Sequence, residues 1–227
     1  MYLTRMEIDM RRKKTMIAFA NRQLFHGAVE SAFEGERKRR LWRIDRLGDK
    51  CYLLIVSEDK PNLRSAFEQY GPYQRDAYWE TKQYDTLLDG IENGSTWQFR
   101  LTANPTVSSS KNKNKNTDTG VHGSQTEDSK GKRGDVYAHN VESYQREWLL
   151  KRAEKNGFYL EEDKFAIVQS QWMQFNKSKE RNRVSFISVT YEGYLMVTDK
   201  EAFVKTLVEG IGREKAYGMG MLTVMRV

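Results

Sequence analysis

The chain is poor in the side chains that most often announce an active site. Its 227 residues hold one cysteine and three histidines. A lone cysteine closes no internal disulfide, and Cys51 lies in the run KCYLLIVS, which reads as a strand around a buried thiol. No pair among His26, His122 and His139 has the spacing of metal ligands, so no zinc centre and no other resident metal or cofactor is expected. Long apolar runs are missing as well. CYLLIV is far shorter than the roughly 20 residues that span a bilayer. The opening MYLTRMEID lacks the basic and then apolar pattern of an export signal, so a cytoplasmic location without a membrane partner is expected. There is no GxxxxGK[ST] phosphate loop either.

Positive charge is in surplus. Lys and Arg number 38 against 31 Asp and Glu, for a net charge of +7. A basic surface favours polyanionic partners, nucleic acid first among them. With 5 Trp, 12 Tyr and 10 Phe there are aromatics enough for a core and for base stacking.

The periodicity divides the chain into two units. Tyr2 to Asp9 alternates as a strand, with Tyr2, Met6 and Ile8 on one side. Arg11 to Lys14 reads as a basic loop, and Asn21 to Phe33 as a helix with Phe25, Val29 and Phe33 at helical spacing. LWRIDRLGDKCYLLIVSE is a hairpin turning at Leu47-Gly48-Asp49, Asn62 to Tyr70 a second helix, and TWQFRLTANP a strand ended by Pro105. The order β, α, β, β, α, β predicts a ferredoxin-like, RRM-like domain over residues 1–105. Residues 106–135 change character: SSSKNKNKNTDTGVHGSQTEDSKGKRGD has almost no apolar residue and reads as a polar flexible insertion. His122 lies inside it.

Residues 136–227 begin with a helix, VESYQREWLLKRAEKNG, that Gly157 ends. DKFAIVQSQWMQF is a strand, NKSKERNR a basic turn, and VSFISVTYEGYLMVTD two strands around Glu192-Gly193. A helix capped by Asp199 and a last strand, MLTVMRV, follow. The second unit resembles the first, with its initial strand absent or rearranged. The expected fold class is therefore α+β, two tandem ferredoxin-like domains. The RNP1 aromatic signature is absent, so stacking of bases on an RRM sheet face is not expected.

Between that last helix and strand lies GIGREKAYGMGML, with glycines at Gly210, Gly212, Gly218 and Gly220. Such density implies positive φ or a backbone that something approaches closely. A phosphate is one candidate. The flanking order, helix before and strand after, is the reverse of a dinucleotide loop, and a glycine-rich turn is the alternative.

Taken in order, MYLTRMEID, LFHGAVESAF, RRLWRID, FRLTANP, VTYEGYLMVTD and GIGREKAYGMGML resemble the CasE group of CRISPR-associated endoribonucleases, across nearly the whole chain. The resemblance implies a metal-independent, cofactor-free cut of precursor CRISPR RNA at the 3′ side of a repeat stem-loop. The 2′-hydroxyl attacks the adjacent phosphate to leave a 2′,3′-cyclic phosphate and a 5′-hydroxyl. It also implies that the product RNA is retained and that the partners are precursor and mature CRISPR RNA and the other subunits of a type I-E surveillance complex.

His26 in LFHGAVESAF matches the family's catalytic histidine, and its ordinary pKa of about 6.5 suits proton exchange near neutrality. Some members carry Tyr three residues earlier, where this chain has Gln23, which cannot titrate. Lys177, Lys179, Arg181 and Arg183 resemble the basic hairpin that grips the RNA stem. Arg37, Lys38, Arg39, Arg40 and Arg43 beside the histidine helix are further candidates for RNA contact. A charge run is ordinarily a solvated face, but both runs sit in a chain already at +7. The glycine loop with Lys215 is expected to brace either the RNA backbone or the interface between the two domains. The competing readings are a non-catalytic RNA-binding subunit of the same complex, and a generic basic RNA-binding module.

Overall fold

A computed structural model of the chain describes residues 1–36, 38–73, 76–109, 121–123, 135–139, 141–177 and 183–227. Its first unit runs β1 (Tyr2–Ile8), α1 (Lys13–Ala20), α2 (Gln23–Glu30), β2 (Leu41–Leu47), β3 (Lys50–Ser57), α3 (Arg64–Tyr70) and β4 (Glu80–Gln83). These strands form an antiparallel sheet in the order β2-β3-β1-β4, the ferredoxin-like arrangement. Alternation along β1 sends Thr4, Met6 and Ile8 inward, where Met6 and Ile8 join a core with Phe25 and Val29 of α2 and Leu53 and Ile55 of β3. The hairpin turns where its glycine suggests, with Leu47 opposite Lys50 and Gly48 at φ 62°.

α1 occupies part of the stretch read as a basic loop. Its apolar residues mislead, because Met16 and Ile17 face solvent while the small Thr15 and Ala18 pack inward.

The remaining chain forms β5 (Thr96–Ala103), β6 (Thr106–Ser109), β7 (Val121–Gly123), β8 (Asp135–His139), α5 (Glu142–Ala153), β9 (Phe158–Tyr159), β10 (Phe165–Asn176), β11 (Arg183–Val197), α6 (Lys200–Glu209) and β12 (Leu222–Arg226), with a short helix, α4 (Asp85–Asp89), before β5. The second antiparallel sheet has the order β10-β11-β5-β12. This corrects the expected division at residue 105. FRLTANP belongs to the second sheet, where β5 pairs with β11 (Leu101 opposite Tyr191) and with β12 (Leu101 opposite Leu222). The four-residue β4 closes the first sheet instead. The strand that the second unit seemed to lack is β5, and the polar stretch is an insertion between that strand and α5.

Two further expectations change. The stretch read as a polar insertion contains β6, β7 and the first residue of β8: β8 pairs with both β6 and β7 in a small antiparallel sheet, and the Trp148 indole N–H donates to the Thr106 carbonyl at 3.2 Å. The rest, residues 110–120 and 124–134, lies outside the described residues. VSFISVTYEGYLMV lies in one strand of 15 residues, β11, which begins at Arg183, rather than in two. Gly193 lets it pass without a break, since a Cβ there would collide with the Lys164 carbonyl oxygen.

The two units share a core. Leu41 and Val56 of the first sheet pack with Trp97, Phe99 and Leu101 of the second. Beside that core, Arg43 is only 2 % exposed. Its Nε and Nη2 donate to the Asp45 carboxylate at 2.7 and 2.6 Å, and its Nη1 donates to the Arg100 and Met221 carbonyls, both at 2.8 Å. Every one of those acceptors is protein. Arg43 clamps β2 to β5 and to the approach of β12, which corrects its placement among the RNA-contacting residues.

Candidate functional site

α2 is set by a turn at Asn21, whose side-chain oxygen accepts the Gln23 backbone N–H at 3.2 Å. Phe25, Ala28 and Val29 bury one face of the helix. Phe25 packs on Tyr70 and Trp42, with ring centroids 4.9 and 6.0 Å apart. Gln23 and His26 remain half-buried. Three residues apart, they share a helix face. Gly27 beside them is exposed, and a Cβ there would meet nothing within 4 Å. The helix surface at Gly27, next to the histidine, is therefore open.

The glycine loop packs against this helix. All four glycines have positive φ, between 74° and 85°. What approaches their backbone is protein. A Cβ on Gly210 would lie 2.7 Å from the Gly220 carbonyl oxygen, and one on Gly218 would lie 2.8 Å from the Trp42 ring. The Ile211 N–H donates to Gly220 at 2.8 Å, and the Gly220 N–H to Thr102 at 2.6 Å. Lys215 also turns inward: its Nζ donates to the Glu209 and Gly210 carbonyls at 2.7 and 2.9 Å, closing the C-terminus of α6. Burial pushes its pKa down. Of the two roles left open for the loop, the contacts of Gly210, Gly218 and Gly220 match the interface between the units, while Gly212 is exposed beside Arg213.

The 3-10 turn inside the loop, Lys215–Tyr217, packs on α2 and β2. Its Tyr217 ring inserts at the root of the β10–β11 hairpin, 5.0 Å from Phe175 and stacked 5.9 Å from Phe186. Burial raises the Tyr217 hydroxyl pKa, and the positive charge of Lys177 opposes that. The Asn21 side-chain N–H donates to the Asn176 carbonyl at 3.4 Å, tying the entrance of α2 to the end of β10. Three motifs far apart in sequence thus converge: the histidine helix, the basic hairpin and the glycine loop.

The other cations divide. Lys177 and Arg183 are exposed at the two sides of the hairpin, while Lys179 and Arg181 lie outside the described residues, as does Arg37. Lys38 is paired with Glu58 and Asp59, both at 3.1 Å. Arg39 is 3.9 Å from Glu209. The Arg40 side chain, 5 % exposed, pairs with Glu30 at 3.2 Å and lies over the Phe33 ring. The run beside α2 is therefore largely matched by the protein's own carboxylates. Sequence reasoning misses Asn21, Arg22 and Tyr217. For Arg22 a signal is present, because it stands one helical turn before His26.

Among the described residues no cluster of three His, Cys, Asp or Glu could hold a metal ion, and no helix is long and apolar enough to cross a membrane.

The two sheets and their connections define an α+β protein of tandem ferredoxin-like units. The family model for CRISPR associated proteins matches residues 1–226, and the chain belongs to that family. It is 26% identical over 238 residues to the CRISPR-associated endoribonuclease Cse3 of Thermus thermophilus, with 99% of each chain covered. Its fold is similar to that of Thermus thermophilus Cse3 bound to an RNA representing a pre-cleavage complex, at a TM-score of 0.71 and 23% identity over 99% of this chain and 98% of that one. Cas6e from Escherichia coli is similar at a TM-score of 0.57 and 20% identity, covering 100% of both chains.

Proposed function

We propose that this protein is a cytoplasmic endoribonuclease that cuts precursor CRISPR RNA on the 3′ side of the repeat stem-loop without a metal ion. It then holds the product RNA within a surveillance complex. The observation that carries the reading is the packing of the His26 helix against both the root of the basic hairpin and the glycine loop. A hairpin RNA gripped by Lys177, Lys179, Arg181 and Arg183 would present the foot of its stem beside α2. The kinship with Cse3 supports the same assignment.

The reaction needs no outside nucleophile. The 2′-oxygen forms a bond to the adjacent phosphorus as its proton leaves, the P–O5′ bond breaks, and a proton reaches the departing 5′-oxygen. The products are a 2′,3′-cyclic phosphate and a 5′-hydroxyl. His26 serves one of these two transfers, since an imidazole exchanges protons near neutral pH. Gln23 contributes hydrogen bonds only. Its neutrality favours a second reading, an RNA-binding subunit that does not cut.

One assay separates the two. The protein is incubated with its repeat hairpin RNA in EDTA, alongside the same RNA carrying a 2′-deoxy nucleotide at the cleavage position. Cleavage of the first RNA alone, with a cyclic phosphate end, is the expected result. Binding of both RNAs without any cut would favour the non-catalytic reading.

A further inference from the structure

Among the described residues Arg22 makes no side-chain hydrogen bond and no ion pair that the fold requires. It lies on the turn leading into α2, and its carbonyl accepts the His26 N–H at 3.1 Å. Residues four apart on a helical turn share a face, so its side chain leaves the backbone on the same side as the imidazole. The Nε of its guanidinium is buried and makes no hydrogen bond. The group lies over the Phe19 ring, 5.1 Å from its centroid, and that ring packs edge-on against Phe25 of the core. The cation therefore rests on an aromatic face, and among the described residues no carboxylate pairs with it.

The nearby Cys51 is no counter-ion. It is buried in β3, and burial pushes its thiol pKa up, leaving it neutral at physiological pH. Loss of hydration depresses the Arg22 pKa to about 10, so the guanidinium is still charged at neutrality. Arg43 offers the contrast, because its buried guanidinium faces a carboxylate and two carbonyls. A buried donor without a partner is a cost that folded proteins rarely carry unless something else supplies the acceptor.

We infer that Arg22 is a second catalytic residue of this protein: its guanidinium binds a non-bridging oxygen of the scissile phosphate, one helical turn from His26. The inference rests on the ribonuclease reading. As the 2′-oxygen adds to phosphorus, charge builds on the non-bridging oxygens. A preorganised, desolvated cation stabilises that charge more than the ground state. Arg22 moves no proton, and all bond changes remain those of the transesterification. It also accounts for Gln23. With a fixed positive charge at the phosphate, the position three residues before His26 can be filled by a group that only hydrogen-bonds.

The test uses the full chain, its repeat hairpin RNA and the 2′-deoxy form of that RNA. Arg22→Met keeps the stem that packs on Phe19 and removes the charge; Arg22→Lys keeps a charge in a different shape. The Met variant should lose about 10²–10³-fold in single-turnover rate, the loss typical of removing one oxyanion donor. Affinity for the 2′-deoxy RNA should fall less than tenfold, and the melting temperature should stay level or rise, because an unpaired buried donor has gone. The Lys variant should recover part of the rate. A fixed phosphorothioate at the cleavage site should slow the wild type in one diastereomer and lose that preference in Arg22→Met. A Met variant that cuts at the wild-type rate overturns the inference and leaves the ribonuclease reading intact. One that melts far lower while cutting normally assigns Arg22 to the fold. A wild-type protein that cuts nothing overturns both.

Discussion

Gly218 lies flat against the Trp42 indole, so close that a Cβ would stand 2.8 Å from the ring. The glycine belongs to the loop before β12 and the tryptophan to β2, so the contact joins the last segment of the chain to the first sheet. Gly218 also has φ 83°, a conformation that a side chain resists. Gly218→Ala should cost roughly 1–3 kcal/mol from backbone strain, with a further penalty if Trp42 cannot move. Urea unfolding followed by tryptophan fluorescence would measure it. An unchanged midpoint would mean that the loop shifts without loss.

The Arg43–Asp45 pair should behave as a structural element. Removing one member of a buried ion pair strands the other, typically at about 3–5 kcal/mol. Arg43→Ala should therefore destabilise by about that much, while the salt dependence of RNA binding by the folded protein stays as in the wild type. A reduced salt slope would return Arg43 to the RNA surface.

The hairpin residues should show the opposite profile. Neutralising Lys177, Lys179, Arg181 and Arg183 should leave the melting temperature near wild type and weaken binding of the repeat hairpin. For every cation that pairs with an RNA phosphate, its removal should change the slope of log K against log salt by about 0.7–0.9. Equal slopes for variant and wild type would leave the hairpin a solvated loop.

His26→Ala should lower the single-turnover rate by roughly 10²–10⁴-fold with little change in hairpin affinity. Gln23→Ala should cost less, and Gln23→Tyr should be tolerated. If Gln23→Ala proves as damaging as His26→Ala, glutamine carries a role that its chemistry does not suggest.

Glu214 gives a pH dependence of known sign. Burial raises its pKa above the usual carboxylate value, with Arg213 and Lys177 opposing the shift. A carboxyl whose folded pKa is raised supports folding below its unfolded pKa, and that contribution is lost as pH rises through the folded value. Glu214→Gln should accordingly melt above the wild type at pH 7, with the difference closing as pH falls below about 4. A constant difference across that range would mean that the glutamine acts through packing rather than charge.

The local features of this fold are legible in the sequence, and the non-local ones are not. The alternation of β1, the Gly48 turn, the Asp199 cap and the Gly157 helix end depend on neighbours within a few residues. Each lies where its residues imply, down to the Ala202 N–H donating to the Asp199 carboxylate at 3.1 Å. β5 is easily misplaced because inward-facing Trp97, Phe99 and Leu101 suit either sheet, and only pairing with strands some hundred residues away decides. In the glycine loop, positive φ can be read from composition, but not that the surfaces pressed against it would be Trp42 and Leu41. Arg43 looks solvated within a basic stretch. The available clue is Asp45 two residues on, which a strand places on the same face. His26 stands out through its motif, and nothing in local patterning alone would choose it.

The position of β5 between β11 and β12 has a consequence for how the chain comes off the ribosome. Every strand of the first sheet has been made by Gln83, so that half can close early. β5 follows at once, yet both of its neighbours are synthesised last, and its second edge stays open until Leu222–Arg226 emerges. Through most of translation the nascent protein is thus a finished sheet trailing a bare apolar strand, the kind of edge that invites wrong pairing. Only with the final residues do the Met221 carbonyl and the Thr223 hydroxyl reach Arg43. A chain stopped even six residues short would keep the histidine helix and lose β12 and, with it, the Thr223 contact to Arg43 and the cover on the second edge of β5.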